Sequence, residues 1–387
     1  MEWIDEFLRA RKEKSLLRSL RSIEKAWEGK VLIRGKELLN FSSNDYLGLS
    51  SHPSLLEESR RMQELYGTSS SASRLMSGDL SIHHLLEELV AEFKGKPAAL
   101  TFGSGYLANV GIIPALCGKE DVIFSDQLNH TSIIDGVLLS GARRFPFRHN
   151  SPQHLSELLK EQRSKFKKAL VVIETIYSMD GDRAAMKEIV DLKEEYDAIL
   201  MVDEAHATGI FGPNGAGVVE EEGLIERVDI IMGTFGKALG SYGAYVAAGS
   251  KVISYLVNKA RSLIYSTALP PSVVGANIAS IKLIRDEPFR RRILLENAGY
   301  FGDLLKERGF DVRGSSQIVP VVVGENKETI KVANRLQEEG IFALPIRYPT
   351  VPEGQARIRF SVTYHHSKET LQRVVEALEG ALRLSPK

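Results

Sequence analysis

The sequence predicts an α/β fold: a mainly parallel sheet covered by helices on both faces, followed by a smaller α+β region. Three observations predict it. Seven short strand-like segments, "AALTF", "DVIFS", "RRFPF", "ALVVIE", "AILMVDE", "VDIIMGTF" and "AYVAAG", fall between residues 98 and 249. Patterns with helical spacing at 105–116, 131–140, 153–162 and 186–196 alternate with most of them, which is the rhythm of strands joined by crossover helices. Beyond "STALPPS" the rhythm changes to a long helical stretch, then "IVPVVV", a helix, "FALPI", "ARIRFSV" and a last helix.

Taken along the chain, residues 1–40 are expected to form a helical arm, 41–270 a large domain with a seven-stranded sheet, and 271–387 a small C-terminal α+β domain. Ahead of the first sheet strand, Leu85, Leu86, Leu89, Val90 and Phe93 recur at helical spacing, and Gly95 follows as the expected C-cap. "ALVVIE" and "AILMVDE" are apolar almost throughout, as strands buried on both faces must be. There are no repeats or low-complexity tracts.

Composition narrows the function. The chain has 387 residues, 43% hydrophobic and 26% charged, with 50 Lys and Arg against 50 Asp and Glu. That balance leaves no basic field for nucleic acid or an anionic membrane, so the expected partners are small molecules or another copy of the chain. Cys117 is the single cysteine, which excludes an internal disulfide and a cysteine metal centre and fits a reducing compartment, with the cytoplasm expected. The amino terminus, "MEWIDEFLRARKEK", is acidic early and lacks an apolar core of signal-peptide type. No run reaches membrane-spanning length.

In an open parallel sheet, ligands gather at the carboxyl ends of the strands. Those ends read "TFGSGYLAN", "FSDQLNH", "ETIYSMDGD", "VDEAHATG" and "GTFGKALG". "GSGYLA" matches a dinucleotide fingerprint, with Asp126 about twenty residues on as the candidate ribose partner. A hundred residues precede it, however, where a first strand belongs; the narrower reading is that the amides of Gly105 and Tyr106 can hold a phosphate. "LMVDEAH" resembles the acidic strand end of a helicase, but no Gly-Lys pair is followed by Ser or Thr, so the required phosphate loop is missing. Asp203 and His206 lack a third ligand at useful spacing, and no metal is expected. The adjacent pairs His83–His84 and His365–His366 read as ordinary helix or loop residues.

"IIMGTFGKALGSYGAY" places Lys237 among small residues, away from carboxylates, at a strand end. An amine so placed is available as a nucleophile toward an aldehyde. Pyridoxal phosphate suits the neighbours: Asp203 as partner of the ring nitrogen, His206 as donor to the ring oxygen, His130 flat against the ring, and Gly105, Tyr106 and Thr234 around the phosphate.

The chain resembles the α-oxoamine synthases, a branch of the fold type I pyridoxal phosphate enzymes (aspartate aminotransferase-like), from "NFSSNDYLGLS" through "ARIRFSVTYHH". The motifs that carry the resemblance are "NFSSNDYLGL", "GYLAN", "YSMDGD", "VDEAHATGIFGPNGAG", "TFGKALG" and "STALPP". The resemblance implies that Lys237 is the Schiff-base lysine, Asp203 the ring-nitrogen partner and His206 the ring-oxygen donor. It implies His130 stacked on the cofactor, Ser178 near the ring oxygen, and Ser266 and Thr267 reaching the phosphate from a second subunit, hence a homodimer. Arg359 matches the residue that grips the amino acid carboxylate, and Arg18, Asn44 and Thr350 match substrate-side positions. "TFGKALGS" with "LIYSTALPP" points to the branch that condenses L-alanine with a pimeloyl thioester, carried on CoA or acyl carrier protein; sister branches use glycine with acetyl-CoA or succinyl-CoA. One departure stands out: "GTSSSASR" at 67–74 replaces the "GSGGSR" of many relatives, leaving less backbone freedom at the acyl-donor entrance.

Overall fold

Continuous apolar runs make strands that are buried on both faces, and in the computed structural model, which describes residues 1–383, the strand Ala169–Glu174 is buried at all six positions. Across the sheet the strands run Ala98–Phe102, Ala244–Ala248, Ile230–Thr234, Ile199–Asp203, Ala169–Glu174, Val122–Asp126 and Arg143–Phe147. All are parallel except Ala244–Ala248, which is antiparallel to both neighbours. The seven predicted segments are these seven strands. Their carboxyl ends deliver Gly103, Asp126, Glu174, Asp203 and Thr234 to one edge.

The connecting helices start where the sequence supplies caps. Ser104 accepts the amide of Leu107 at 3.2 Å and opens the helix Gly105–Leu116. His130 accepts the amide of Ser132 through Nδ1 at 3.2 Å and opens Thr131–Ser140. The helix Ser81–Lys94 stops at Gly95, which is left-handed at φ 63°, as the sequence predicted. Apolar residues of the helix Gly105–Leu116 pack with the sheet around Leu170, Val172, Met201 and Val246.

The chain divides into two compact units. One comprises Leu49–Tyr177 and Arg183–Arg291 and holds the large sheet. The other comprises Met1–Gly48, Ser178–Asp182 and the residues from Arg292 onward. The second unit contains a three-stranded sheet, Ile318–Gly324, Ala356–Ser361 and Pro345–Ile346, and a four-stranded one, Lys25–Trp27, Lys30–Ile33, Lys36–Asn40 and Ile341–Phe342. The four-stranded sheet corrects the expected arm: only Glu2–Glu13 is helical before residue 40. The strands follow from alternation, with Val31, Ile33 and Leu38 clustering under Phe342, and from turns at Glu28–Gly29 and Arg34–Gly35 in which every residue has positive φ. The helix Pro271–Asp286 belongs to the unit of the large sheet, so the contact-defined division falls about one helix later than residue 270. Among the described residues, no helix is long and apolar enough to cross a membrane.

Candidate active site

Lys237 lies in the short connection between the adjacent antiparallel strands Ile230–Thr234 and Ala244–Ala248. Hydrogen bonds close this loop: Thr234 Oγ1 donates to Gly243 O at 2.8 Å, Phe235 N to Gly243 O at 3.0 Å, Gly236 N to Thr234 Oγ1 at 3.1 Å, and Ser241 N to Phe235 O at 2.9 Å. Gly240 turns the chain at φ 64°, and a Cβ there would lie 2.5 Å from Ser50 N, so only glycine fits. The outcome is that Lys237 Nζ stands 2.8 Å from His206 Nε2.

Asp203 ends its strand almost wholly buried. Its Oδ1 accepts the Ala205 amide at 2.9 Å and its Oδ2 accepts Asn109 Nδ2 at 3.0 Å. Asn109 also donates to Ser132 Oγ at 2.9 Å, which lies 2.8 Å from His130 Nδ1. A polar chain therefore runs Asp203–Asn109–Ser132–His130. Neither Asn109 nor Ser132 was singled out from sequence; the signal for Asn109 was a lone amide in the apolar helix "GYLANVGIIPAL". His130 is exposed as a residue, yet desolvation by the surrounding protein pushes its pKa down, helped by Lys237 and opposed by Asp203. A neutral imidazole results.

Glu174 was missed as well. It faces Asp203 in register on the neighbouring strand, and its Oε1 accepts the His130 amide at 2.5 Å. Burial pushes its carboxyl up to about 8, with Asp203 reinforcing the shift and Lys237 opposing it. Its sequence signal was a single carboxylate closing the run "ALVVI".

Gly105 and Tyr106 lead their helix, while the next amide, that of Leu107, is occupied by Ser104. A Cβ at Gly105 would meet nothing nearer than Met232 Cε at 3.9 Å. Two leading amides at a helix amino terminus suit a phosphate. Together with an amine, a buried carboxylate and a neutral imidazole at one sheet edge, they fit pyridoxal phosphate. Ser266 and Thr267 lie on a recess lined also by Arg74, Thr101 and Gly103, where Thr267 pairs with Ser73. The serine-rich loop is pinned there: Ser70 Oγ donates to Leu269 O at 2.7 Å, and Ser71 adopts φ 59°, an uncommon conformation for a residue other than glycine.

In the other unit, Arg359 collects Ser178, Asn44 and a residue that sequence reading passed over, Tyr46. Arg359 Nε donates to Ser178 O at 2.6 Å, Nη1 to Ser361 Oγ at 2.7 Å and Nη2 to Tyr46 OH at 3.3 Å. Tyr46 OH in turn donates to Asn44 Oδ1 at 3.0 Å. Arg18 Nη2 donates to Thr350 Oγ1 at 3.3 Å, which joins two residues 332 positions apart.

Other candidates are accounted for. Asp126 accepts Leu128 N, Asn150 N, Tyr177 OH and His149 Nδ1, all within 3.0 Å; a carboxylate so occupied shapes loops and has no capacity for a ribose diol. His83 hydrogen-bonds Leu269 O and its own helix start, and His366 stacks on Phe41 with ring centroids 4.0 Å apart. Among the described residues, no group of three or more His, Cys, Asp or Glu is placed to hold a metal ion.

Comparison with known proteins agrees with the geometry. The family model "aminotransferase class I and II" matches residues 36–378. The 8-amino-7-oxononanoate synthase of Geotalea daltonii is 46% identical over 381 residues, 98% of this chain and 97% of the relative. That of Geobacter metallireducens is 49% identical over 374 residues, 96% and 95%. Among solved structures, serine palmitoyltransferase from S. paucimobilis, bound to a pyridoxal phosphate–myriocin aldimine, superposes with TM-score 0.93 at 30% identity, covering 98% of this chain and 97% of that one. The fold, the lysine loop and these similarities converge: the chain belongs to the aminotransferase class I and II family, as an α-oxoamine synthase of fold type I whose cofactor is pyridoxal phosphate.

Proposed function

We propose that this chain condenses L-alanine with a pimeloyl thioester, on CoA or acyl carrier protein, to give 8-amino-7-oxononanoate, carbon dioxide and the free thiol, a step of biotin synthesis. The observation that carries the reading is the Lys237–His206 contact of 2.8 Å beside buried Asp203, in a chain nearly half identical over nearly its full length to relatives of that name.

Bound pyridoxal phosphate supplies an aldehyde that takes up amines and a ring that draws electrons from an attached α-carbon. The chain does the rest. Asp203, held by Ala205 N and Asn109, presents its carboxylate to the ring nitrogen. His206 orients Lys237 and would donate to the ring oxygen, a role Ser178 would share. Lys237 Nζ removes the α-proton of alanine and returns one to the product. His130 would stack on the ring as a neutral platform. Gly105, Tyr106 and Thr234 hold the phosphate, joined by Ser266 and Thr267 of a second copy, so the working form is a homodimer, in the cytoplasm. Arg359 binds the alanine carboxylate with its guanidinium fork, while Arg18, Asn44 and Thr350 serve the substrate side.

Thiol release by cofactor-loaded protein tests this. Release from pimeloyl-CoA with L-alanine, absent in Lys237→Ala, is the expected result. Release mainly from acetyl-CoA with glycine would move the chain to the glycine C-acetyltransferase (2-amino-3-ketobutyrate CoA ligase) activity of its sisters and refute the alanine assignment.

A further inference from the structure

Behind the turn that carries Asp203 and His206 lies a buried charge cluster with no part in the chemistry above. Lys94, the last residue of its helix, and Glu204 are both buried, and Lys94 Nζ donates to Glu204 Oε2 at 2.6 Å. The ammonium also reaches Thr208 Oγ1 at 3.4 Å and Ala216 O, and stands 5.8 Å from the centroid of the Tyr245 ring. Glu204 uses its other oxygen to accept the Val219 amide at 2.9 Å. A Cβ at Gly217 would fall 2.3 Å from the Glu204 carboxylate, so the glycine lets the following loop close over it. The backbone of Glu204 is held as well: its amide donates to Met232 O at 2.8 Å and its carbonyl accepts Ala207 N and Thr208 N, each at 2.9 Å.

Two features make this more than stability. A buried ion pair is on balance no more stabilising than apolar residues of similar volume, whereas its geometry is specific. And the cluster touches both segments that meet at the site. Glu204 and Thr208 flank His206, while Tyr245, whose OH lies 2.9 Å from Thr208 Oγ1, belongs to the strand that returns from the Lys237 loop.

We propose that the Lys94–Glu204 pair, with Tyr245, is a positioning element that sets the approach of His206 to Lys237 and the aim of Asp203. The proposal rests on the cofactor site described above. Lys94 fixes the turn at Glu204 and Thr208, the residues on either side of His206.

The test uses holoenzyme variants with three readouts: the pH at which the cofactor's visible absorption changes, which reports the Lys237 environment; the cofactor dissociation constant; and kcat separated from KM for alanine. Lys94→Met leaves Glu204 as an unpaired buried charge and should lower thermal stability sharply. Lys94→Met with Glu204→Met should recover the thermal midpoint yet keep a displaced spectroscopic titration and a kcat lower by about tenfold to 100-fold, as small misplacements near reacting groups do, with KM for alanine unchanged. Tyr245→Phe, which buries no charge, should shift the titration in the same direction by less. A double variant with wild-type titration and kcat would reduce the pair to a structural role and overturn the proposal. If the charge variants fail to fold, an unaltered titration in Tyr245→Phe overturns it alone. The site reading fails separately, and takes this proposal with it, if wild type lacks the visible band or Lys237→Ala retains it.

Discussion

Asn109→Ala removes one side chain that touches no substrate and should nevertheless cost most of the turnover. Asn109 Nδ2 gives Asp203 Oδ2 one of its two described hydrogen bonds, at 3.0 Å, in a buried setting. A hydrogen bond to a charged group contributes about 1.5–3 kcal/mol. Lost from the anionic form alone, that weakens the support the carboxylate gives a protonated ring nitrogen by a similar amount. If that support is expressed fully in the rate-limiting barrier, kcat falls by about tenfold to 150-fold. The fold should survive, because the deletion also removes Asn109 Oδ1, a buried acceptor without a partner, whose relief offsets part of the lost bond. The assay is thiol release at saturating alanine and acyl donor, with cofactor occupancy checked by its visible absorption. A fully loaded variant with kcat within threefold of wild type would refute the reasoning. Ser132→Ala, which cuts the chain one link further on, should reduce kcat by less and alter the titration of His130.

Arg359→Lys keeps the charge but loses the fork fixed by Ser178 O, Ser361 Oγ and Tyr46 OH; KM for alanine should rise by about tenfold to 100-fold with a smaller change in kcat, and an equal fall in kcat alone would count against carboxylate binding. Glu174 carries a sign that can be checked on apoprotein: its folded pKa near 8 stands above its usual 4.5, so the folded chain holds a proton that the unfolded chain releases. Its contribution to stability is complete below 4.5 and is lost as pH rises toward 8; Glu174→Gln should flatten thermal stability across that window, and parallel curves for the two proteins would dismiss the shift. Burial pushes the Cys117 thiol up to about 12, so a thiol reagent should find no reactive cysteine at neutral pH until the chain unfolds, and a prompt stoichiometric reaction would contradict the burial.

How much of this was legible in sequence varies by kind of residue. Most of the sheet strands were readable because a strand buried on both faces leaves an unbroken apolar run, whereas Arg143–Phe147, exposed at three of its five positions, was readable only from its alternation with helical patterns; Lys237, Asp203 and His206 stood out because chemistry-bearing side chains at the ends of such runs have few structural reasons to be there. Residues 25–40 were misread because the strands Lys25–Trp27, Lys30–Ile33 and Lys36–Asn40 are short and half exposed, and the turn signals at Gly29 and Gly35 were given too little weight against the helical arm. Asn109, Ser132 and Glu174 escaped for a different reason. Each acts through another residue, Asp203 or His130, and a pairing between positions 94 apart, such as Asn109 with Asp203, has no trace in local spacing. Tyr46 was hidden likewise: only folding places it against Arg359, 313 positions away.

The strand Ala244–Ala248, the one that runs against its neighbours, determines how the chain can tolerate insertions. Six strands are reached by connections long enough to absorb extra residues at their surface bends. The connection bearing Lys237 has no such slack, since it joins adjacent strands directly, is closed at Thr234, Phe235 and Gly243, and runs at Gly240 hard against Leu49 and Ser50. One added residue there must either break the ladder or displace the lysine. Length, rather than side-chain identity alone, is therefore part of what the loop encodes, and variants of this chain that broaden its substrate range are to be sought in other loops.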